Sequence, residues 1–103
     1  MARLELFWTI TALKQRDHIF ECWNNRNKSN NYTKHLLALI NQRTTTLLSF
    51  PEIGKNVDFK NTRVISIEHY SLFYVIDTNR IIITAFWDDR RNPKDLLSLL
   101  ENK

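Results

Sequence analysis

Hydrophobic and polar positions change period several times along this chain, and each change marks an element. From Arg3 to Thr9 the pattern alternates, with Leu4, Leu6 and Trp8 on one side and Arg3, Glu5 and Phe7 on the other. A period of two predicts a strand with one buried face. Ala12, Leu13, Ile19, Phe20 and Trp23 then follow a 3.6-residue period, which predicts a helix capped near Thr9 or Thr11. The polar run Asn24 to Asn31 breaks that stripe. Asn27 is expected as its left-handed C-cap, and Ser29 or Asn30 as the N-cap of a second helix from Tyr32 to Leu48. Leu36, Leu37, Leu39, Ile40, Leu47 and Leu48 form the apolar side of that helix. A short polar connection implies an antiparallel helical hairpin, and one apolar stripe per helix implies a sheet for the pair to pack on.

Phe50-Pro51-Glu52-Ile53-Gly54 stops the second helix, because Pro cannot continue it and Gly is expected to supply a positive φ. Lys55 to Asn61 is a polar loop interrupted by Val57 and Phe59. Strand-like runs then follow almost end to end, at Arg63–Glu68, Leu72–Asp77 and Arg80–Trp87. The nearly continuous apolar stretch Leu72 to Ile76 predicts an interior strand, and Thr78-Asn79 a two-residue hairpin turn with Asn79 left-handed. Pro93 suits the first turn of a short final helix packed through Leu96, Leu97, Leu99 and Leu100. The predicted order is β-α-α-β-β-β-α, an α+β fold in which a helical hairpin covers one face of a small, mostly antiparallel sheet. No repeat or linker divides it, so residues 1–103 are expected to form a single domain.

Composition narrows the function without fixing it. A chain of 103 residues buries roughly two-thirds of its surface, enough for one core. Fifteen Lys and Arg against eleven Asp and Glu give a net charge of +4, a weak bias toward nucleic acid, ribosome or acidic protein partners. One cysteine, Cys22, excludes an internal disulfide. Met1-Ala2-Arg3-Leu4-Glu5 lacks the apolar core of a signal peptide, and no run approaches the ~20 apolar residues of a membrane span. A cytoplasmic protein without a membrane partner is the expectation. Gly occurs once, so Asn is expected to supply most left-handed backbone positions.

Several segments together resemble the RelE/ParE superfamily of toxins from bacterial type II toxin–antitoxin pairs. These are Phe50-Pro51-Glu52-Ile53-Gly54, the spaced set Arg63, Tyr70 and Phe73-Tyr74, the ending Trp87-Asp88-Asp89-Arg90-Arg91-Asn92-Pro93, and Ile19-Phe20 with Trp23-Asn24-Asn25-Arg26-Asn27. The resemblance spans essentially the whole chain. It implies a growth-arresting toxin, of the kind tied to plasmid stabilisation, held inactive by a cognate antitoxin. Its members either cut messenger RNA in the ribosome, as RelE does, or poison DNA gyrase, as ParE does, and fold alone does not choose between them.

Metal-independent RNA cleavage needs a base, an acid and cations for the charged phosphorane, with no cofactor. Arg63 and Arg90 match basic positions of the ribonuclease members, and His69 at a strand bend is the candidate acid or base. Arg91, Tyr70, Trp87, Lys55 and Lys60 are the further candidates for contact with a target or nucleic acid. The guanidinium groups of Arg63 and Arg90 are expected to converge on one open hollow. Ribonuclease members usually carry a Tyr or His-Tyr at or beyond the last strand, where this chain has Trp87, Asp88, Asp89, Lys94, Asp95 and Leu96. That departure shifts weight to ParE-like inhibition of gyrase. A ribosome-dependent endoribonuclease and a degenerate member that only binds its antitoxin are the alternatives.

Each candidate also has a structural reading. Arg63 pairs with Asp77, Asp88 or Asp89, or contacts phosphate. Arg90-Arg91 beside Asp88-Asp89 forms a self-neutralising turn, and Asp89 caps the last helix. Trp87 is core or partner surface, Tyr74 is core, and Tyr70 is open between the two. Trp8 and Trp23 belong to the core, and Cys22 is a buried or idle thiol. His18 and His35 fall on different helices and make no metal pair.

Overall fold

The computed structural model describes residues 4–91. Strand β1 (Glu5–Trp8) leads into helix α1 (Ile10–Asn27), followed by α2 (Asn31–Ser49), the two-residue β2 (Lys55–Asn56), β3 (Arg63–Ile67), β4 (Tyr70–Asp77) and β5 (Arg80–Asp88). The five strands form one mixed sheet in the order β1-β5-β4-β3-β2. β1 runs parallel to β5, with Leu6 opposite Ile81 and Trp8 opposite Ile83, and all other neighbours are antiparallel. The expected α+β layout with a helical hairpin on a sheet holds. The final helix expected from Pro93 lies outside the described residues, and β2 is a strand the hydrophobic pattern did not announce.

The element ends follow local chemistry. Thr9 caps α1, its hydroxyl accepting from the amide of Ala12 at 3.1 Å. Asn30 is the N-cap residue of α2, but its side chain makes no capping bond; Ser29 Oγ accepts from the Asn31 amide instead. Thr33 Oγ1 ties the connection by reaching both Asn24 Oδ1 and the Asn30 carbonyl at 2.9 Å. Among the described residues the left-handed positions are Lys28, Lys60, Asn61, Glu68 and Thr78, so Asn supplies only one of these. Asn27 remains helical and Lys28 takes the C-cap conformation; in the β4–β5 turn Thr78, not Asn79, has positive φ. Gly54 has no positive φ either.

The core lies between the helical hairpin and the sheet. Leu36, Ile40 and Leu47 of α2 and Ala12 of α1 meet Ile67, Tyr70, Leu72, Tyr74, Ile81, Ile83 and Phe86, all fully buried. A second, smaller cluster on the opposite sheet face joins Phe73, Ala85 and Trp87 to Val57, Phe59 and Val64. Val57 and Phe59, which interrupt the polar loop, are thus its lid.

One irregularity decides which end-of-strand residues face which way. Phe73 pairs with Ala85 while Tyr74 pairs with Ile83, so Thr84 is the extra residue of a β-bulge. Strict alternation after Ile81 and Ile83 would put Ala85 and Trp87 on the helix face. The bulge reverses this: Phe86 and Asp88 face the helices, and Ala85 and Trp87 join the opposite cluster. α1 satisfies the bulge's backbone, with Thr9 Oγ1 donating to the Thr84 carbonyl and Gln15 Oε1 accepting from the Phe86 amide at 2.8 Å. No helix of the described residues is long and apolar enough to cross a membrane.

Candidate functional site

Two regions collect the sequence-predicted residues, and they lie at opposite ends of β3 and β4. Arg63 opens β3 opposite Tyr74, whereas Ile67 closes it opposite Tyr70, which in turn faces Asp88 of β5. The four residue steps from Tyr70 to Tyr74 correspond to about 13 Å of strand, and Arg90 lies beyond Asp88. The expected convergence of Arg63 and Arg90 on one hollow therefore does not occur.

At the first end Arg63 serves the turn after α2. Its Nη1 donates to the carbonyls of Glu52 at 3.1 Å and Gly54 at 2.9 Å, while Nη2 is 3.9 Å from the Glu52 carboxylate. None of the partners anticipated for it (Asp77, Asp88, Asp89) is the one it uses. Tyr74 completes the arrangement: its hydroxyl donates to the Pro51 carbonyl at 2.7 Å and accepts from the Gly54 amide at 3.0 Å. Burial pushes the Tyr74 phenol up from its ordinary value. Phe50 and Ile53 project outward from this pinned turn, 65% and 58% exposed. Lys55 is exposed on β2, and Lys60 is exposed with its ammonium 5.3 Å from the Phe59 ring.

At the second end a cleft of about 410 Å³ opens between the later turns of α1 and the ends of β4 and β5. Its polar lining comes from His18, Arg26, Tyr70, Asp88, Arg90 and Arg91. Tyr70 is fully buried, stacks on Phe86 with centroids 5.2 Å apart, and accepts a 2.6 Å hydrogen bond from Trp23 Nε1. This bond joins helix to sheet at the cleft floor. Trp23 and Trp8 are half-buried. Asp88 takes two side-chain bonds from Arg90, each 2.9 Å, plus the Arg90 amide at 3.0 Å. These hold the Asp88 carboxyl below its usual range, against the opposing effect of burial, and raise the Arg90 guanidinium further. The self-neutralising reading thus describes Arg90.

Arg91 behaves differently. Its guanidinium lies 4.7 Å from the Trp87 ring centroid, and Trp87 itself is only 3% exposed. Arg26 lies over Trp23 at 5.2 Å. His69 is exposed in the β3–β4 turn and holds the β5 end through its carbonyl, which accepts from the Asp89 amide at 3.0 Å. Asp89 also accepts from Ser71 Oγ. Cys22 is exposed rather than buried, its Sγ 3.6 Å from His18 Nε2 on the cleft wall. Next to the cleft, Glu68 accepts from Tyr32 at 3.0 Å and lies 3.3 Å from His35 Nε2, contacts that keep its carboxyl below the ordinary range.

Sequence reasoning missed His18 and Arg26 as cleft residues. Their spacing of eight residues on α1 places them on one helix side, together with Cys22. What hid them was the absence of any sequence cue that this side meets the end of β5.

The comparisons agree with this architecture. The solved structure of a chromosomal ParDE TA system from P. aeruginosa superposes with a TM-score of 0.71, covering 84% of this chain and 96% of that one at 16% identity. That identity supports the shared fold alone. No curated protein matches the sequence. The family model describing the ParE toxin of the type II toxin–antitoxin system, parDE, matches residues 6–93. The helical hairpin, both strand-end regions and all of the mixed sheet but Glu5 fall within that span, and the chain belongs to the ParE toxin family of type II toxin–antitoxin systems.

Proposed function

We propose that this chain arrests growth by binding DNA gyrase, and that a cognate antitoxin holds it inactive in the cytoplasm. The observation that carries the choice of a binding inhibitor is the separation of Arg63 from Arg90. Phosphodiester cleavage without a metal needs cations, base and acid around one phosphate. Here Arg63 is engaged by the Glu52 and Gly54 carbonyls, Arg90 by Asp88, and His69 stands in an exposed turn. The absence of Tyr or His in Trp87-Asp88-Asp89-Arg90-Arg91 supports the same reading. An antitoxin partner follows from the family and from the toxin–antitoxin system named for the P. aeruginosa structure. The +4 charge suits an acidic partner segment.

The test is expression without antitoxin. Primer extension on an abundant transcript is combined with a supercoiling assay using purified gyrase and purified chain. Growth arrest, intact messenger RNA and blocked supercoiling are expected. Transcripts cut in translating cells, with cutting lost in Arg63→Ala, would replace this reading with the ribosome-dependent endoribonuclease. Unimpaired growth would leave a protein that only binds its antitoxin. Purified chain should also bind the product of the adjacent small gene, and no affinity there would remove the antitoxin from the proposal.

A further inference from the structure

We infer that the cleft between α1 and the β4–β5 end is a binding site for a phosphate monoester of a nucleotide or of a nucleic-acid strand end. The inference does not depend on which cellular target the toxin has. Charge is the first argument. Arg26, Arg90 and Arg91 line the cleft with Asp88 as the single carboxylate among the lining residues. Asp88 is hydrogen-bonded to Arg90, and its charge also acts on Arg91. Arg26 and Arg91 form no ion pair among the described residues, so three guanidinium groups meet a single carboxylate around one hollow.

Presentation is the second argument. Both guanidiniums lie over indole rings, Arg26 over Trp23 at 5.2 Å and Arg91 over Trp87 at 4.7 Å. Stacking covers the flat face and leaves the N–H edge for an acceptor. Neither ring is loose. Trp87 is buried, and Trp23 is bonded to Tyr70 and packed on Tyr32 with centroids 4.7 Å apart. The cations are therefore positioned in advance by the core.

Geometry separates phosphate from carboxylate. A carboxylate offers two coplanar oxygens that match one guanidinium fork. Here the donors come from different elements, Arg26 from the last turn of α1 and Arg90 and Arg91 from beyond β5. Donors from separate elements match the three terminal oxygens of a tetrahedral phosphate, and the excess of three guanidiniums over one carboxylate matches its dianion. A volume of about 410 Å³ exceeds what phosphate alone needs, and Ile19 and Cys22 supply a less polar wall for the attached nucleoside.

The experiment titrates purified full-length chain with AMP, adenosine, inorganic phosphate, and a short single-stranded oligonucleotide with and without a 5′-phosphate. Calorimetry gives affinity, and the Trp23 indole N–H resonance, assigned with Trp23→Phe, gives location in the unmutated protein. AMP or the 5′-phosphorylated strand should bind and move the Trp23 signal, while adenosine and the unphosphorylated strand do not. Whichever phosphorylated probe binds more tightly identifies the source as free nucleotide or strand end. Arg26→Glu and Arg91→Glu should each weaken binding about tenfold or more. Arg43→Glu, an equal charge change at an exposed α2 residue that does not line the cleft, should leave it nearly unchanged. The inference is overturned if no phosphate probe binds, if adenosine binds as well as AMP, or if Arg43→Glu weakens binding as much as the cleft variants. A glutamate-rich peptide that binds more tightly than any phosphate probe, with the same dependence on Arg26 and Arg91, would overturn it too.

Discussion

The hydroxyl of Tyr74 occupies the space that a side chain on Gly54 would need: a Cβ built there would sit 2.5 Å from Tyr74 Oη and 2.8 Å from Tyr74 Cε1. The glycine is required for close approach and not for backbone freedom, since its φ is negative or extended. Gly54→Ala is therefore expected to destabilise the protein by about 1–3 kcal/mol through overpacking. Tyr74→Phe should cost a comparable ~1–3 kcal/mol, because the Gly54 amide loses its acceptor and the Pro51 carbonyl its donor. The double variant should be less destabilised than the sum, as removing the hydroxyl relieves the nearest clash. Urea unfolding of the four proteins checks this, and strict additivity would contradict the steric account.

Arg63 is the second support of the same turn, which changes how its mutation must be read. Two carbonyls accept from its Nη1, and its side chain is 21% exposed. Arg63→Ala should lose about 1–3 kcal/mol of stability by leaving those carbonyls without their donor. Glu52→Ala should cost about 0–1 kcal/mol, since that carboxylate is exposed and 3.9 Å away. Thermal melts of both variants, run beside toxicity assays, separate loss of fold from loss of target contact. An Arg63→Ala protein as stable as the parent would show that the carbonyl contacts contribute nothing.

The sequence pattern reached the layer architecture because that is where periodicity carries physical information. Leu36, Ile40 and Leu47 on one helix face, and Leu72 and Tyr74 on one strand face, have to be covered, and the structure covers them with each other. What stayed hidden depends on context. Lys55–Asn56 is too short and too exposed to leave a hydrophobic trace. Positive φ went to Lys28, Glu68 and Thr78 because the position in the turn dictates the angle and the residue tolerates it. Thr84 gives no local sign that it bulges, yet the bulge decides that Asp88 rather than Trp87 reaches the cleft. Arg63 and Arg90 both flank the meander and so suggest one site in sequence; antiparallel pairing of β3 with β4 and of β4 with β5 puts them at opposite ends.

The bond from Trp23 Nε1 to the Tyr70 hydroxyl links α1 to β4 at the cleft floor. Tyr70→Phe keeps the stacking on Phe86 but removes the acceptor. The indole N–H would then be half-buried without a partner, at a cost of about 1–2 kcal/mol. Trp23→Phe removes the donor and replaces the indole with a smaller phenyl ring, which should also loosen Arg26 from its stacked position. Chemical denaturation measures the first effect, and protection of the Trp23 indole proton from exchange measures whether the bond forms. A Tyr70→Phe variant with unchanged stability and unchanged exchange would show that the contact is dispensable.

Acid stability should depend on Asp88. Hydrogen bonding from Arg90 lowers its folded-state pKa below the unfolded value, so the folded state binds the proton less readily than the unfolded chain. The sign follows directly: the stabilisation is fully present above the unfolded pKa of about 4 and is lost as pH falls through the lower folded value. Asp88→Asn should therefore be less stable than the parent at pH 7, and the two should approach one another as pH drops below about 4. Glu68, lowered by its bond from Tyr32 and by His35, acts in the same direction, so the Asp88→Asn variant keeps a residual acid-sensitive limb. Urea midpoints of both proteins between pH 7 and pH 2.5, taken at one ionic strength, test the linkage. A constant difference across that range would mean that the Asp88 charge contributes nothing, and that Arg90 is held at the cleft edge by its backbone alone.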